Sequence, residues 1–204
     1  TGSTTTWGAG SAALFAAGSD ATGSYTVNVA GIQDIASLWF EEGNVTLSGG
    51  TLRMQGATPL SIVAGSTSTV SSVISDDGNG YALDKFGAGS LILGAANTLS
   101  GVLNFGDAGT LTLAHSNAIS ACADVLAVGD VVAAVDADIN NLSVGATSSG
   151  SALDVVGSGS LRLGGPANTV SNTALSFGVG AVLHSEYYSP SPGEPGGVVH
   201  TIVS

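Results

Sequence analysis

The sequence contains few charged residues, and most of them are acidic. Only 9% of its 204 residues are Asp, Glu, Lys or Arg, against about 25% in an ordinary soluble domain. Three Lys and Arg face fifteen Asp and Glu, which gives a net charge of −12. Because this charge repels phosphate backbones and anionic headgroups, we expect no nucleic-acid partner and no binding to a membrane surface.

Cysteine and long apolar runs are also scarce. Cys122 is the single cysteine, so it has no partner for an intrachain disulfide and no companion at metal-ligand spacing. We therefore expect it to be a small buried apolar residue. No uninterrupted run of about 18 apolar residues occurs, so the sequence predicts no membrane insertion as a helix.

Glycine is abundant, and it restricts the fold class. The chain has 31 Gly, yet 44% of its residues are hydrophobic. That apolar content is too high for disorder. Each glycine inside a helix costs about 1 kcal/mol relative to alanine, so long helices are disfavoured as well. The composition therefore predicts an all-β protein.

A sequence repeat indicates how the strands are arranged. The segment FGAGSLILGAANTLSG at 86–101 returns as VGSGSLRLGGPANTVS at 156–171, and GSLIL at 89–93 returns as GTLTL at 109–113. Short strands that alternate apolar and polar residues bury only one face. Recurrence every 20 residues or so favours a coil in which each strand lies parallel on the strand one turn earlier.

This coil makes specific predictions about side chains. Leu91 and Leu93 should point inward and stack on Leu111 and Leu113, with Ser90, Ile92, Thr110 and Thr112 facing outward. Glycines should supply positive φ at the corners. Asn97 and Asn168 should tolerate a left-handed turn and bond to backbone or to stacked Asn. An antiparallel sandwich is the alternative for the same pattern.

The repeat resembles a known family. LDKFGAGSLILGAANTLSG at 83–101 is similar to the strand repeat of autotransporter passenger domains, and 139–172 is similar to it as well. The resemblance implies a right-handed parallel β-helix on the outside of a bacterium, usually as part of a larger surface protein. It implies an architecture and an extracellular location, and says almost nothing about activity.

The C-terminal segment differs from the repeat. Residues 1–189 are predicted to form the β-solenoid, and PSPGEPGG at 190–197 a linker, because three prolines do not fit a strand interior. Residues 198–204 are predicted to form a terminal strand. This strand either folds back to cap the rod or is donated to the next subunit. Its self-association residues are Val198, Val199, His200, Thr201, Ile202 and Val203.

Two groups of carboxylates are the candidate catalytic residues. Solenoid enzymes that act on polysaccharides use clustered carboxylates, often with Ca²⁺. The first group is similar to a calcium loop, but it lacks the spacing and the terminal Glu of an EF-hand. We favour solvated turn carboxylates for both groups. The two groups are Asp76, Asp77 and Asp84, and Asp130, Asp136 and Asp138.

Other residues give weaker signals. The only cations are Arg53, Lys85 and Arg162, and the histidines His115, His184 and His200 lack metal-ligand spacing. No nucleophile elbow, P-loop or dinucleotide fingerprint occurs in the right context, so we expect no cofactor and no metal. One interpretation of the aromatic residues is a sugar-binding platform. For the tryptophans we favour the other interpretation, in which they fill a cap or the core. The platform candidates are Trp7, Trp39, Phe40, Tyr187 and Tyr188.

These observations favour a non-enzymatic extracellular β-solenoid with a structural or adhesive role, in which the C-terminal strand joins subunits into filaments. Its expected partners are other copies of the chain, other surface proteins or glycans. The alternative is a polysaccharide-active solenoid enzyme that uses a carboxylate cluster.

Overall fold

The structure is a computed structural model that describes residues 8–16, 23–144, 151–155, 160–163, 169–170, 173–177, 179, 182–187 and 198–203. The described residues form short strands and no helix. In chain order the strands are β1 (Ser11–Phe15), β2 (Ser24–Asn28), β3 (Ile32–Phe40), β4 (Asn44–Ser48), β5 (Thr51–Met54), β6 (Thr58–Ile62), β7 (Thr67–Val70), β8 (Val73–Ser75), β9 (Leu83–Phe86), β10 (Ser90–Leu93) and β11 (Val102–Phe105). They continue with β12 (Thr110–Leu113), β13 (Asp124–Ala127), β14 (Asp130–Ala133), β15 (Ala137–Ile139), β16 (Leu142–Val144), β17 (Ser151–Val155), β18 (Ser160–Leu163), β19 (Thr169–Val170), β20 (Thr173–Phe177), β21 (Val182–Tyr187) and β22 (Val198–Val203).

The strands stack in parallel as a β-solenoid, with about five turns in residues 23–144. One face is an eight-stranded sheet in the order β2-β4-β7-β10-β12-β14-β17-β20. The other large sheet has ten strands. Nine of them follow the order β19-β16-β13-β11-β9-β6-β3-β5-β8, and the tenth, β1, pairs with β3. The nine-residue β3 pairs with β5 through its first half and with β6 through its second half, so this sheet covers two sides of the coil.

The stacking of leucines confirms the predicted coil. Leu91 pairs with Leu111 and Leu93 with Leu113, in parallel register. All four side chains are fully buried, whereas the residues between them are half-buried. Neighbouring rungs of a sheet lie about 4.8 Å apart, so the leucines form a continuous aliphatic column. The antiparallel sandwich considered above is therefore wrong.

Cys122 lies in this core, as predicted. Its side chain is 1% exposed. Burial raises the pKa of the thiol to about 12, and the negative charge of Asp76 adds to the effect. The thiol is therefore protonated at neutral pH and packs as an apolar group.

Glycines form the corners where coils approach closely. Gly87 and Gly109 have φ of +75° and +123°, which confirms the predicted positive φ at these turns. Gly89 has no positive φ, but a Cβ at this position would lie within 3.0 Å of backbone and side-chain atoms of the previous coil. This corner therefore needs glycine for space as well as for conformation.

The C-terminal strand is the exception to parallel stacking. Val198–Val203 lies antiparallel to β21, and the two strands are in register from Val182↔Val203 to Tyr187↔Val198. Together with β15 and β18 they form a four-stranded sheet. The predicted linker at 190–197 lies outside the described residues. Donation of this strand to another subunit stays a prediction.

Among the residues that the structure describes, no helix has the length and apolar character to cross a membrane.

Candidate functional site

Asp76 is the centre of a hydrogen-bonded corner between β8 and β9. The residue is fully buried. Its Oδ1 accepts a hydrogen bond from the Gly78 amide at 3.0 Å, and its Oδ2 accepts one from the Tyr81 amide at 3.1 Å. Oδ2 also accepts from the amide and the hydroxyl of Ser100, at 3.1 and 2.8 Å. Since Ser100 belongs to the next coil, one carboxylate joins two coils.

These hydrogen bonds keep Asp76 ionised. Burial by itself would raise the pKa of the carboxyl, but the hydrogen bonds from Ser100 and from the loop amides lower it by more, and the net pKa lies below its ordinary value. The prediction that Asp76 is a solvated turn carboxylate is therefore wrong. The reason is that a residue one coil away supplies the donors that replace water.

The other members of the first group lie nearer the surface. Asp77 is exposed, and its backbone has a positive φ of 51°. Its Oδ2 lies 3.6 Å from Nη1 of Arg53. Asp84 is half-buried on β9, and its Oδ1 accepts a hydrogen bond from Asn104 at 2.5 Å. Because Asp76 faces the core and Asp84 faces outward, the fold does not assemble these carboxylates into one cluster.

The second group of carboxylates lies further along the rod. Asp130 is half-buried on β14, Asp136 is exposed, and Asp138 is half-buried on β15. Within the described part of the chain, no three His, Cys, Asp or Glu residues are grouped so as to hold a metal ion. Neither group therefore has the geometry of a metal site there.

Lys85 is a second buried charged residue. It is fully buried beside Leu83 on the inner side of β9. Its Nζ donates hydrogen bonds to the carbonyl oxygens of Gly87 and Gly89, the latter at 2.6 Å. The same Nζ lies 4.6 Å from the centroid of the Phe105 ring, which is a cation–π contact. Lys85 thus holds its own Gly-x-Gly corner against the next coil.

The pKa of Lys85 reflects this burial. Desolvation lowers it to about 8 from an ordinary value of 10.5, against the attraction of Asp107, which raises it. The unfolded chain binds a proton between pH 8 and 10.5 that the folded chain has released, so folding becomes more favourable as the pH rises through this window. Its ammonium faces the core and is not available to a surface site.

We expect a pH-dependent difference between the wild type and Lys85→Met. The free energy of unfolding of the wild type should rise relative to that of Lys85→Met between about pH 7.5 and pH 10. Urea unfolding at several pH values measures this difference. Arg53→Met is the control, because the guanidinium stays charged throughout this range. A wild-type advantage over Lys85→Met that is constant or falls with pH would contradict the buried, desolvated ammonium.

Asn97 joins three coils in the segment between β10 and β11, where its own coil forms no regular strand. Its side chain is 4% exposed. Oδ1 accepts a hydrogen bond from the Ile74 amide of the previous coil at 2.8 Å, and Nδ2 donates to the Ala118 carbonyl of the next coil at 2.9 Å. The predicted bonding of its amide to backbone is confirmed. The predicted left-handed turn is wrong, since Asn97 has no positive φ. Asn168 lies outside the described residues.

The aromatic residues separate into buried and exposed ones. Phe40 is 1% exposed and stacks on Phe15 with centroids 4.8 Å apart, so it is excluded from a sugar platform. Trp39 is 42% exposed, so the prediction that it fills a cap or the core is wrong. Its neighbours Leu38 and Phe40 point inward, which turns Trp39 outward. Trp7 and Tyr188 lie outside the described residues, and Tyr187 is described only as part of β21.

Of the three histidines, the structure describes the side chain of His115 and only the backbone of His184 and His200. His115 is half-buried, and its Nδ1 accepts a hydrogen bond from the Asn117 amide at 3.0 Å. The pairing of β21 with β22 brings the backbones of His184 and His200 to neighbouring register positions, since His184 pairs with Thr201 and His200 with Ser185. Of the remaining cations, Arg53 bonds to Asp34 through Nε at 2.5 Å, and Arg162 lies on β18.

An apolar recess opens near the N-terminal end of the described core. Its volume is about 170 Å³, and its lining consists of Phe15, Val27, Asn28, Val29, Ala30, Gln33, Leu47 and Leu52. The lining contains no titratable or nucleophilic side chain. The recess therefore offers apolar contact without catalytic chemistry.

The features that sequence reasoning missed are the inward positions of Asp76 and Lys85 and the outward position of Trp39. For Lys85 and Trp39 the signal was present in the strand pattern. Lys85 lies two residues after Leu83 and therefore shares its inner side, whereas Trp39 directly follows the inward Leu38 and therefore points outward. For Asp76 it was absent, since Ser100 is 24 residues away in the sequence.

Comparisons of the chain with family models, with curated proteins and with solved structures gave no match.

Proposed function

We propose that this chain is a non-enzymatic structural and adhesive rod of the bacterial cell exterior. The coiled architecture favours this role, because a stack of similar coils presents long, regular outer faces for contacts. The resemblance of residues 83–101 to the autotransporter repeat supports the location outside the cell. One Cys and few charged side chains are compatible with that location, and neither requires it.

The observation that carries the proposal is the use of the buried polar side chains. Asp76, Lys85 and Asn97 each bond to backbone or side-chain groups at a corner or in a neighbouring coil. Buried polar groups are costly unless they are bonded in this way. These three side chains therefore serve to hold coil on coil, which is what a structural rod requires.

We further propose that rods associate through the C-terminal strand. Val198–Val203 pairs antiparallel with β21 at the end of its sheet, unlike the parallel strands before it. A terminal strand that follows a proline-rich segment can exchange into another copy while keeping the same backbone hydrogen bonds. The alternating VVHTIV sequence suits such an edge pairing.

Negative-stain electron microscopy of the purified chain tests this proposal. We expect elongated particles that join into filaments as the concentration rises. A variant that lacks residues 198–204 should give single rods of the same width. Filaments that persist in this variant would remove strand donation, and compact round particles in the wild type would overturn the structural role itself.

Of the two substitutions Asp76→Ala and Asp136→Ala, only the second tests the enzyme alternative. Asp76 is buried and fully used in the structure, so loss of activity in Asp76→Ala would only report unfolding. Asp136 is exposed, and its replacement leaves the core unchanged. Cleavage of an acidic polysaccharide by the wild type that disappears in Asp136→Ala would replace the structural proposal with the enzymatic one.

A further inference from the structure

Exposed apolar side chains concentrate on the outer surface of one half of the ten-stranded sheet. Leu14 pairs with Trp39, Trp39 with Ser61, and Ser61 with Phe86, so the four residues occupy one outward column on successive coils. Leu14, Trp39 and Phe86 are 60%, 42% and 47% exposed. We call the column Leu14–Trp39–Ser61–Phe86 the aromatic strip. Exposed apolar patches of this kind mark interaction sites.

The two rings of the aromatic strip have a defined spacing. Trp39 and Phe86 lie two rungs apart, which is about 9.6 Å along the rod. Only the small side chain of Ser61 lies between them. The gap is close to the length of one disaccharide unit in an extended β-1,4-linked glycan. Alternate sugars of such a chain can therefore stack on the two rings.

The indole ring of Trp39 is held in place before any ligand arrives. Its Nε1 donates a hydrogen bond to the hydroxyl of Ser37 at 2.9 Å, on the same strand. Fixing the ring reduces the conformational entropy that binding would cost. The N–H is satisfied, so the ring presents its apolar surface as the free contact area.

The charges around the strip select the kind of ligand. Glu41 and Asp107 are exposed, and Asp84 is half-buried two residues before Phe86. The single cation of this region, Lys85, points into the core. An acidic polymer would meet only carboxylates here, whereas hydroxyl or amine groups can donate hydrogen bonds to them.

We propose that the aromatic strip binds an extended β-linked glycan that carries no acidic groups. Trp39 and Phe86 stack on the sugar rings, and the pair Asp84 and Asn104, joined at 2.5 Å, accepts and donates hydrogen bonds to the hydroxyls beside them. The inference rests on the adhesive role proposed above and gives it a ligand class and a place.

A second copy of the chain is a poorer occupant of this surface. Face-to-face pairing of two strips would bring Glu41, Asp84 and Asp107 of both copies close together. No exposed Lys or Arg on β6, β9 or β11 compensates for these charges. Like charges brought together in this way oppose association.

Binding to three insoluble or immobilised polysaccharides tests the inference with the full chain. The probes are cellulose as a neutral glycan, chitosan as an amine-bearing glycan and polygalacturonate as an acidic one. We expect the wild type to bind the first two and not the third. The Trp39→Ser/Phe86→Ser double variant should bind at least about tenfold more weakly. Both side chains are exposed, so the variant should keep the wild-type melting temperature.

Ile32→Ser is the matched control, since Ile32 is 61% exposed and lies outside the strip. It should bind like the wild type. Absence of binding to all three glycans, or equal binding by the double variant, would overturn the inference. A wild-type dimer in sedimentation velocity that becomes monomeric in the double variant would also overturn it, by assigning the strip to a second copy. Rods seen by microscopy without glycan binding would refute the strip alone, whereas absence of rods would refute the proposed function.

Discussion

Asp76→Ala should lower the free energy of unfolding by about 3 to 5 kcal/mol. The substitution removes the acceptor of four hydrogen bonds, from the amides of Gly78, Tyr81 and Ser100 and from the Ser100 hydroxyl. These donors lie at a corner that joins two coils, and water cannot reach a site where the side chain is fully buried. Urea denaturation followed by circular dichroism measures the loss.

Asp84→Ala is the matched control for this loss. It removes the same charge by the same substitution, but Asp84 is half-buried and accepts one side-chain hydrogen bond, from Asn104. Its cost should be about 1 kcal/mol. Equal losses in the two variants would show that Asp76 does not organise the corner.

The effect of Asp76 should also depend on pH. Its folded pKa lies below the ordinary value of 3.8, so its ionised form stabilises the fold above that value. The contribution is lost as the pH falls through the folded pKa. The difference between the wild type and Asp76→Ala should therefore be constant above about pH 5 and shrink in stronger acid.

Gly89→Ala should destabilise the fold by about 3 kcal/mol through steric overlap alone. A Cβ at this position would overlap the carbonyl oxygen of Val63 and the Cγ2 of Ile62, and would lie 2.9 Å from the carbonyl oxygen of Ser66. Most of these atoms belong to the backbone of the previous coil, which cannot move without disturbing the stack. Thermal and urea unfolding of the variant measure the effect.

Gly56→Ala separates crowding from the loss of glycine flexibility. No atom lies within 4 Å of a Cβ built at Gly56, and its φ is not positive. The change should be neutral or stabilise the chain by about 0.5 kcal/mol, because alanine restricts the unfolded state. A Gly89→Ala variant as stable as Gly56→Ala would contradict the close approach of the two coils.

The architecture was predictable because it depends on periodic signals. Alternation along each strand gave the inward side of Leu91 and Leu93, and the 20-residue spacing gave their partners Leu111 and Leu113. Positive φ at Gly87 followed from the same repeat. These signals are local or recur at a fixed distance, so a single sequence contains them.

The positions of the buried polar side chains were less predictable. Burying the Lys85 ammonium is costly, and the carbonyls of its own corner and the Phe105 ring of the next coil offset part of that cost. Asp76 likewise depends on Ser100. Both depend on contacts between coils whose register has to be known first. The alternation along β9 gives the inner side of Lys85, but the strand pattern alone does not show the contacts that accommodate either charge.

The aromatic strip is a case in which two sequence signals disagreed about exposure. Alternation turns Trp39 and Phe86 outward, but the general tendency of large apolar residues to be buried argued for an inward Trp39. Register across three coils then places both rings in one column. Only the stacked structure reveals that they form a common surface.

Immunogold electron microscopy of cells that produce this chain is the most direct test of the proposal that it is an extracellular structural rod. Antibodies raised against the purified chain should label the outside of intact, unpermeabilised cells, in lines or patches that coincide with rods or filaments. Label that is found only inside sectioned cells would contradict the account.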